Sequence, residues 1–463
     1  MRDILLIAFV FGAIPWMLCR PHLGVFMWSW LGYMNPHRLT WGVTYFPFAQ
    51  VAAICTLLPL VFCKDRQRLP LTSLTVIWLL FIAWMAFTTQ FAIVPDSAWM
   101  HLDKVSKIHL IALVTVVLIN TREKLNQLIW VIVVSIGFHG VKGGFFSVIT
   151  GGAFRVWGPP DTNLADNNHL GVALLMTLPL MYYLYQQAQH RYLRWGLAVC
   201  MALMAFGVAG THSRGSFVAS GGVVLYLWWK SKRKVVTGLV LVMLVPLILA
   251  FMPAHWHERM GTIANYQEDG SAMGRIEAWE FAIAMANHRL VGGGFRVWQS
   301  QESFDQLTDG YEARAAHSIY FGVMGDHGWP GLLMFLSIGW LGLHTGTLII
   351  RRTRNREDLR WMGDLARMTQ VGMAAYATGG AFLSLSYFDL YWHLVAIMVI
   401  TRVLMERELA RQPTPQAASS PGEAAPSPPP RPHRPRHPRP AYGLGLVRPR
   451  RITPVNWGPA RTG

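Results

Sequence analysis

Six arginines and one histidine stand where an apolar chain has least reason to carry them. Arg155, Arg214, Arg275, Arg289, Arg296, Arg314 and His317 all lie in segments that flank long apolar runs. A charge at the edge of a membrane core is costly unless it is paired or used. The guanidinium fork pairs bidentately with phosphate oxygens, so several converging arginines suit a diphosphate. A diphosphate at the rim of a bilayer suggests a polyprenyl carrier lipid. Taken singly, each arginine could instead pair with Glu268, Asp269, Glu277, Glu280 or Glu312, but the segments adjoining Arg214 offer no acid.

His317 follows Arg314-Ala315-Ala316 and precedes Ser318-Ile319-Tyr320-Phe321, opening the segment that enters the membrane at Gly328-Trp329-Pro330-Gly331. A histidine at such a boundary can be neutral near pH 7 and accept a proton from a hydroxyl. The plainer role for a lone histidine is a cap or a structural hydrogen bond, and His101, His109, His139, His169, His255 and His393 are read that way. No Asp-x-Asp or Glu-x-Asp pair accompanies the arginines and no HExxH occurs. Divalent sites need clustered oxygen ligands, so neither a metal nor another cofactor is expected. Phosphate-loop, GxSxG and dinucleotide fingerprints are absent as well.

The elements that must position these residues are membrane helices. Of the 463 residues 52% are apolar and 14% charged, against roughly 25% charged in an ordinary globular protein. The apolar residues gather at approximately 4–36, 44–63, 71–94, 105–120, 126–150, 167–187, 195–212, 215–230, 235–252, 328–350, 366–384 and 388–406, many of them near the roughly 20 residues that span a bilayer. This excludes a soluble enzyme, a disordered protein and a disulfide scaffold. The fold class is an all-α polytopic membrane protein with about twelve spans. The first run is broken at Cys19-Arg20-Pro21-His22, so it is either one bent helix or two short ones. Cys19, Cys55, Cys63 and Cys200 show no CxxC or metal spacing and read as packing residues.

Basic clusters at Lys64–Arg68, Arg122 and Lys124, Arg191 and Arg194, Lys230–Lys234 and Arg351–Arg360 can all be placed in the cytoplasm without conflict. The opposite face then carries the loop 151–167, the tight turn Thr211-His212-Ser213-Arg214-Gly215 and the long segment 253–327, whose stretch 274–288 is helical with Ile276, Trp279, Ile283 and Ala286 on one face. The chain divides into N-terminal membrane helices (1–252), a large helical loop (253–327), C-terminal membrane helices (328–411) and a disordered Pro/Arg-rich cytoplasmic tail (412–463). The tail supplies +7 of the net +17 and could rest on anionic lipid of the cytoplasmic leaflet, the plainer reading being a solvated tail with no role; much of the remaining charge reads as a topology signal and not a nucleic-acid footprint. No internal repeat is evident, which counts against transporters built from paired halves.

Three patches together resemble the O-antigen ligase and polymerase superfamily of bacterial membrane proteins: Ser213-Arg214-Gly215-Ser216, then Gly274-Arg275 with Trp279 leading to Gly292–Gly294, then His317-Ser318 with Tyr320 and Gly328. Asn167-Asn168 ahead of Leu178-Pro179-Leu180 also looks like the family's pre-helix asparagine. The stretch from Arg20-Pro21-His22 to Gly32-Tyr33-Met34-Asn35-Pro36 is similar to O-glycosylation ligases that accompany exosortase systems. The resemblance covers most of 1–406 and implies metal-independent, inverting glycan transfer at the periplasmic face of the inner membrane. The donor would be a glycan on undecaprenyl diphosphate, and the acceptor hydroxyl would belong to lipid A-core, a protein or another glycan. Arg214 and Arg275 would bind the diphosphate, with Arg155, Arg289, Arg296 and Arg314 as further donor contacts. His317 would orient or deprotonate the acceptor, and Ser318, Tyr320, Asn167 and Trp279 would position the substrates. Ser318 replaces the family's usual asparagine, and Arg289 stands where a proline is expected. A polymerase of the same superfamily and, from another class, a lipid-glycan flippase are the alternatives.

Overall fold

A computed structural model of the chain describes residues 1–230, 234–261 and 270–411, and residues 1–412 make one compact unit. The tail read as disordered, and with it Glu268 and Asp269, lies outside the described residues. Within them the secondary structure is helical and no strand occurs.

The broken first run resolves into α1 (Arg2–Gly12), α2 (Ile14–Cys19) and α3 (Pro21–Met34). Pro21 begins α3 at the one position where a missing N–H is harmless. Then follow α4 (Phe48–Leu60), α5 (Ser73–Thr89), α6 (Pro95–Leu118), α7 (Arg122–Ile149), α8 (Asn167–Gln187), α9 (Arg191–Gly210), α10 (Arg214–Lys230) and α11 (Lys234–Phe251). Next come α12 (Ala254–Gly261), α13 (Gly270–His288), α14 (Gln301–Leu307), α15 (Ile319–Thr353), α16 (Arg360–Gly380) and α17 (Asp389–Arg411). Side chains placed by the sequence set several starts: Thr72, Thr121, Asp166 and Ser318 each accept a backbone N–H of the following turn. Each apolar run read from the sequence falls on helix. Among the described residues Arg2–Cys19, α7, α9 and α15 are long and apolar enough to cross a membrane. Large apolar side chains such as Trp16, Leu225, Leu239 and Trp340 face outward, as lipid contact requires.

Lipid tails are as apolar as leucine, so helices in a bilayer associate through close backbone approach and buried polar pairs. Both are present. A Cβ on Gly144 of α7 would lie 1.7 Å from the Leu203 carbonyl oxygen of α9. Tyr33 Oη meets His393 Nδ1 at 2.7 Å, and Trp78 donates to His109 Nδ1 at 2.9 Å while stacking on Trp392. His109, His139 and His393 thus have the structural roles expected of them.

One joint differs from the sequence expectation. Helix α15 begins at Ile319, nine residues ahead of the run assigned to it, because the Ser318 hydroxyl caps it. Gly328 then breaks the helix with φ +66° and ψ −173°. Into this break fits the glycine run after α13: Gly293 N–H donates to Gly325 O at 2.9 Å and Gly294 N–H to Asp326 O at 2.8 Å. On its other side Ile93 N–H donates to Gly293 O at 2.8 Å. A Cβ on Gly328 would stand 2.1 Å from Leu290 O, and one on Gly292 2.6 Å from Gly328 N. Only glycine tolerates both the positive φ and the contact.

Gly328→Ala should therefore lower the thermal midpoint of the detergent-purified protein, by more than about 1 kcal/mol in stability. Gly196→Ala, where an added Cβ meets nothing within 4 Å, should not. Equal midpoints for the wild type and Gly328→Ala would show that the break does not depend on glycine.

Candidate functional site

Beside that joint lies a cavity of about 220 Å³ lined by Arg296, Arg314, His317, Ser318, Asp326 and, among others, His101 and Tyr387. The glycine stitch delivers Arg296. Its backbone is left-handed (φ 60°) and its N–H donates to Asp326 Oδ1 at 3.0 Å, while the guanidinium lies over the Trp298 ring. Asp326 is 8% exposed, and its second oxygen accepts from Tyr387 Oη at 3.3 Å. A carboxylate wedged between an arginine backbone and a tyrosine fixes the cavity floor.

His317 stands at the rim, also left-handed (φ 43°). Its Nδ1 is 3.3 Å from Ser384 Oγ. Trp279 holds the approach from below by donating to Ala316 O at 2.7 Å and stacking on Phe321. Burial pushes the imidazole pKa below its ordinary 6.5; the Arg275 charge adds to this, as does His169, and Asp166 opposes it. The Arg275 charge on α13 and the charges at the start of α8 therefore act on the same ring.

Arg214 is the first residue of α10, where the helix dipole disfavours a cation and favours an anion. The turn before it is fixed: Ser213 Oγ accepts from Ser216 N–H, and Asn167 Nδ2 donates to Thr211 O at 2.7 Å. An added Cβ on Gly215 would touch Phe382, whose ring neighbours Trp279, so α10 starts on the same side as His317.

The expected residues divide by what they touch. Arg296, Arg314 and His317 line the cavity, the Arg275 charge acts on His317 from α13, and Arg214 stands at the start of α10, outside the lining; Arg314 is already bridged to Glu312 at 2.7 Å and Glu277 at 3.8 Å. Arg289 does not line the cavity and donates to Phe91 O at 2.8 Å, tying α13 to the turn after α5. Arg155 is exposed on the 151–167 loop. Ser318 lines the cavity while capping α15; Tyr320 donates to Ala377 O at 2.8 Å, and Asn167 and Trp279 act on backbone, so these three support the site from behind. Sequence reading missed Asp326 and Tyr387, and gave His101 a structural role although it lines the cavity. An acid inside the apolar segment 319–335 was the available signal for Asp326; nothing in the local sequence marks the other two.

Residues 199–336 match the family model described as O-antigen ligase, and residues 1–189 match a family of unknown function (DUF5935). The first match takes in Arg214, Arg275, Arg296, Arg314, His317 and Asp326. Comparison with curated proteins finds no match.

Titration of His317 by NMR on selectively labelled protein should give a pKa below 6.5, the imidazole being neutral above it. Arg275→Gln removes one of the causes and should move that pKa upward. An unchanged value in Arg275→Gln would separate the two side chains.

Proposed function

We propose that this member of the O-antigen ligase superfamily is a metal-independent, inverting transferase that moves a glycan from undecaprenyl diphosphate to an acceptor hydroxyl. The observation that carries the reading is the meeting of His317 with Arg275 beside a cavity floored by Arg296 and Asp326. In the reaction the bond between the sugar anomeric carbon and the diphosphate oxygen breaks as the acceptor oxygen attacks from the opposite face. The acceptor proton passes to His317. An Nδ1–H directed to Ser384 leaves Nε2 with the lone pair that this step needs. Negative charge grows on the departing diphosphate, where Arg214, Arg275 and Arg296 are preorganised to meet it. Arg314, bound to two glutamates, is given the lesser task of holding the rim.

On this reading about twelve spans cross the bacterial inner membrane, with 253–327 and the site on the periplasmic side. The positive-inside pattern supports it. The acceptor is taken to be lipid A-core or protein, and the Arg20–Pro36 stretch, inside the 1–189 match, supports a place among exosortase-associated ligases. A polymerase would use the same donor site with a second lipid-linked glycan as acceptor.

The test uses purified protein in liposomes with labelled undecaprenyl-diphosphate glycan, EDTA and candidate acceptors supplied one at a time. His317→Ala should insert normally yet transfer about 10²–10⁴-fold more slowly. Arg275→Lys should also fail, because a point charge cannot replace the bidentate fork. Full activity in folded His317→Ala would overturn the base assignment. Label found only on longer lipid-linked chains would make the protein a polymerase, and label that crosses the bilayer without transfer would make it a flippase.

A further inference from the structure

A second cavity, of about 610 Å³, lies against the first and has a different character. The two share walls. Helix α6 gives His101 to the first cavity and Asp103, Lys104 and Lys107 to the second, and the entry to α17 gives Tyr387 to the first and Phe388 and the helix's first residue, Asp389, to the second. The remaining walls come from the end of α3, with Trp28 and Tyr33, and from Asp161–Leu164 of the 151–167 loop. Polar side chains gathered in this way are out of character for a chain with 14% charged residues.

The lining mixes both signs. Lys104 and Lys107 stand with Asp103, Asp161 and Asp389, and Arg38, outside the lining, offsets Asp161 at 3.5 Å. Lys107 is paired with Asp103, and Lys104 donates to Asn163 Oδ1 at 2.9 Å. An anion gains nothing from such a lining, unlike the cationic cavity next door. What it offers is alternating acceptors and donors beside indole and phenol rings. Carboxylates and amides accept from hydroxyls, ammonium groups donate to them, and aromatic faces cover C–H surfaces. That set matches a neutral, polyhydroxylated ring.

We infer that the cavity framed by α3, α6, the 151–167 loop and the start of α17 is a subsite for a neutral sugar of the acceptor, seated so that its reactive hydroxyl reaches His317 across α6. The inference rests on the transferase reading for the word acceptor, and on the second cavity alone for the sugar. It also gives a task to the 1–189 region, which supplies most of the walls yet matches only a family of unknown function.

Two measurements test it with the full-length protein in nanodiscs or liposomes. In the first, saturation-transfer NMR follows a panel of soluble neutral oligosaccharides ending in hexose or N-acetylhexosamine, with no donor present. At least one should bind the wild type and His317→Ala alike, and bind about tenfold more weakly to Asp103→Asn and Lys107→Met, each of which alters one exposed polar contact. If no oligosaccharide binds the wild type, or if binding ignores both variants, the sugar subsite is refuted whatever the enzyme's reaction. In the second, transfer kinetics of the same variants should show the acceptor KM raised about tenfold, with the donor KM and kcat near wild type. A raised donor KM with an unchanged acceptor KM would overturn the acceptor assignment and give the cavity to the donor glycan. A wild type that binds sugar but transfers nothing would instead count against the transferase reading.

Discussion

The site depends on a backbone contact that no side chain could make. Two glycine-rich segments meet where α15 breaks at Gly328, and the N–H groups of Gly293 and Gly294 are satisfied by carbonyls of residues 325 and 326. A broken helix near a membrane exposes polar backbone, which is tolerated only when neighbouring protein satisfies it. Here the satisfying segment is also the one that carries Arg296, and the break is also where Asp326 turns inward. Joining the two segments therefore assembles the cavity floor. The turn at Phe91–Ile93 closes the joint from the other side through Arg289 and Gly293.

Around that joint the electrostatics follow from placement. Arg214 begins a helix, Arg275 sits beside an imidazole, and Arg296 is held by its own backbone to a buried carboxylate. The helix dipole opposes a cation at the first position, and the third lies beside the buried Asp326 carboxylate. The adjoining cavity on α6 is mixed in sign and so complements the first, one suited to a phosphate and the other to hydroxyls.

Much of the architecture was legible because apolar runs are local signals, and each run fell on helix. The caps that start several of these helices, Thr72, Thr121 and Asp166, were not read from the sequence. The start of α15 was misplaced because hydropathy registers the membrane entry at Gly328 and not the cap at Ser318. The motif patches singled out Arg214, Arg275 and His317, but residue types alone could not separate side chains that face the cavity from those that support it. Arg289 and Arg296 stand seven positions apart on a glycine-containing segment, and only its left-handed turns decide that one reaches the Phe91 carbonyl and the other the cavity. Asp326 with Tyr387 and His101 with Phe295 are contacts between distant parts of the chain, and periodicity carries no information about them.

The central claim is that the arginines around His317 hold a diphosphate. Equilibrium binding of radiolabelled undecaprenyl diphosphate, without any glycan, to the protein in nanodiscs tests it most directly. The account predicts that His317→Ala binds as the wild type does, whereas Arg275→Gln and Arg296→Gln each lose most of the affinity, and that the loss is larger at low salt than at high. Undiminished binding by both arginine variants, in protein that remains folded, would contradict it.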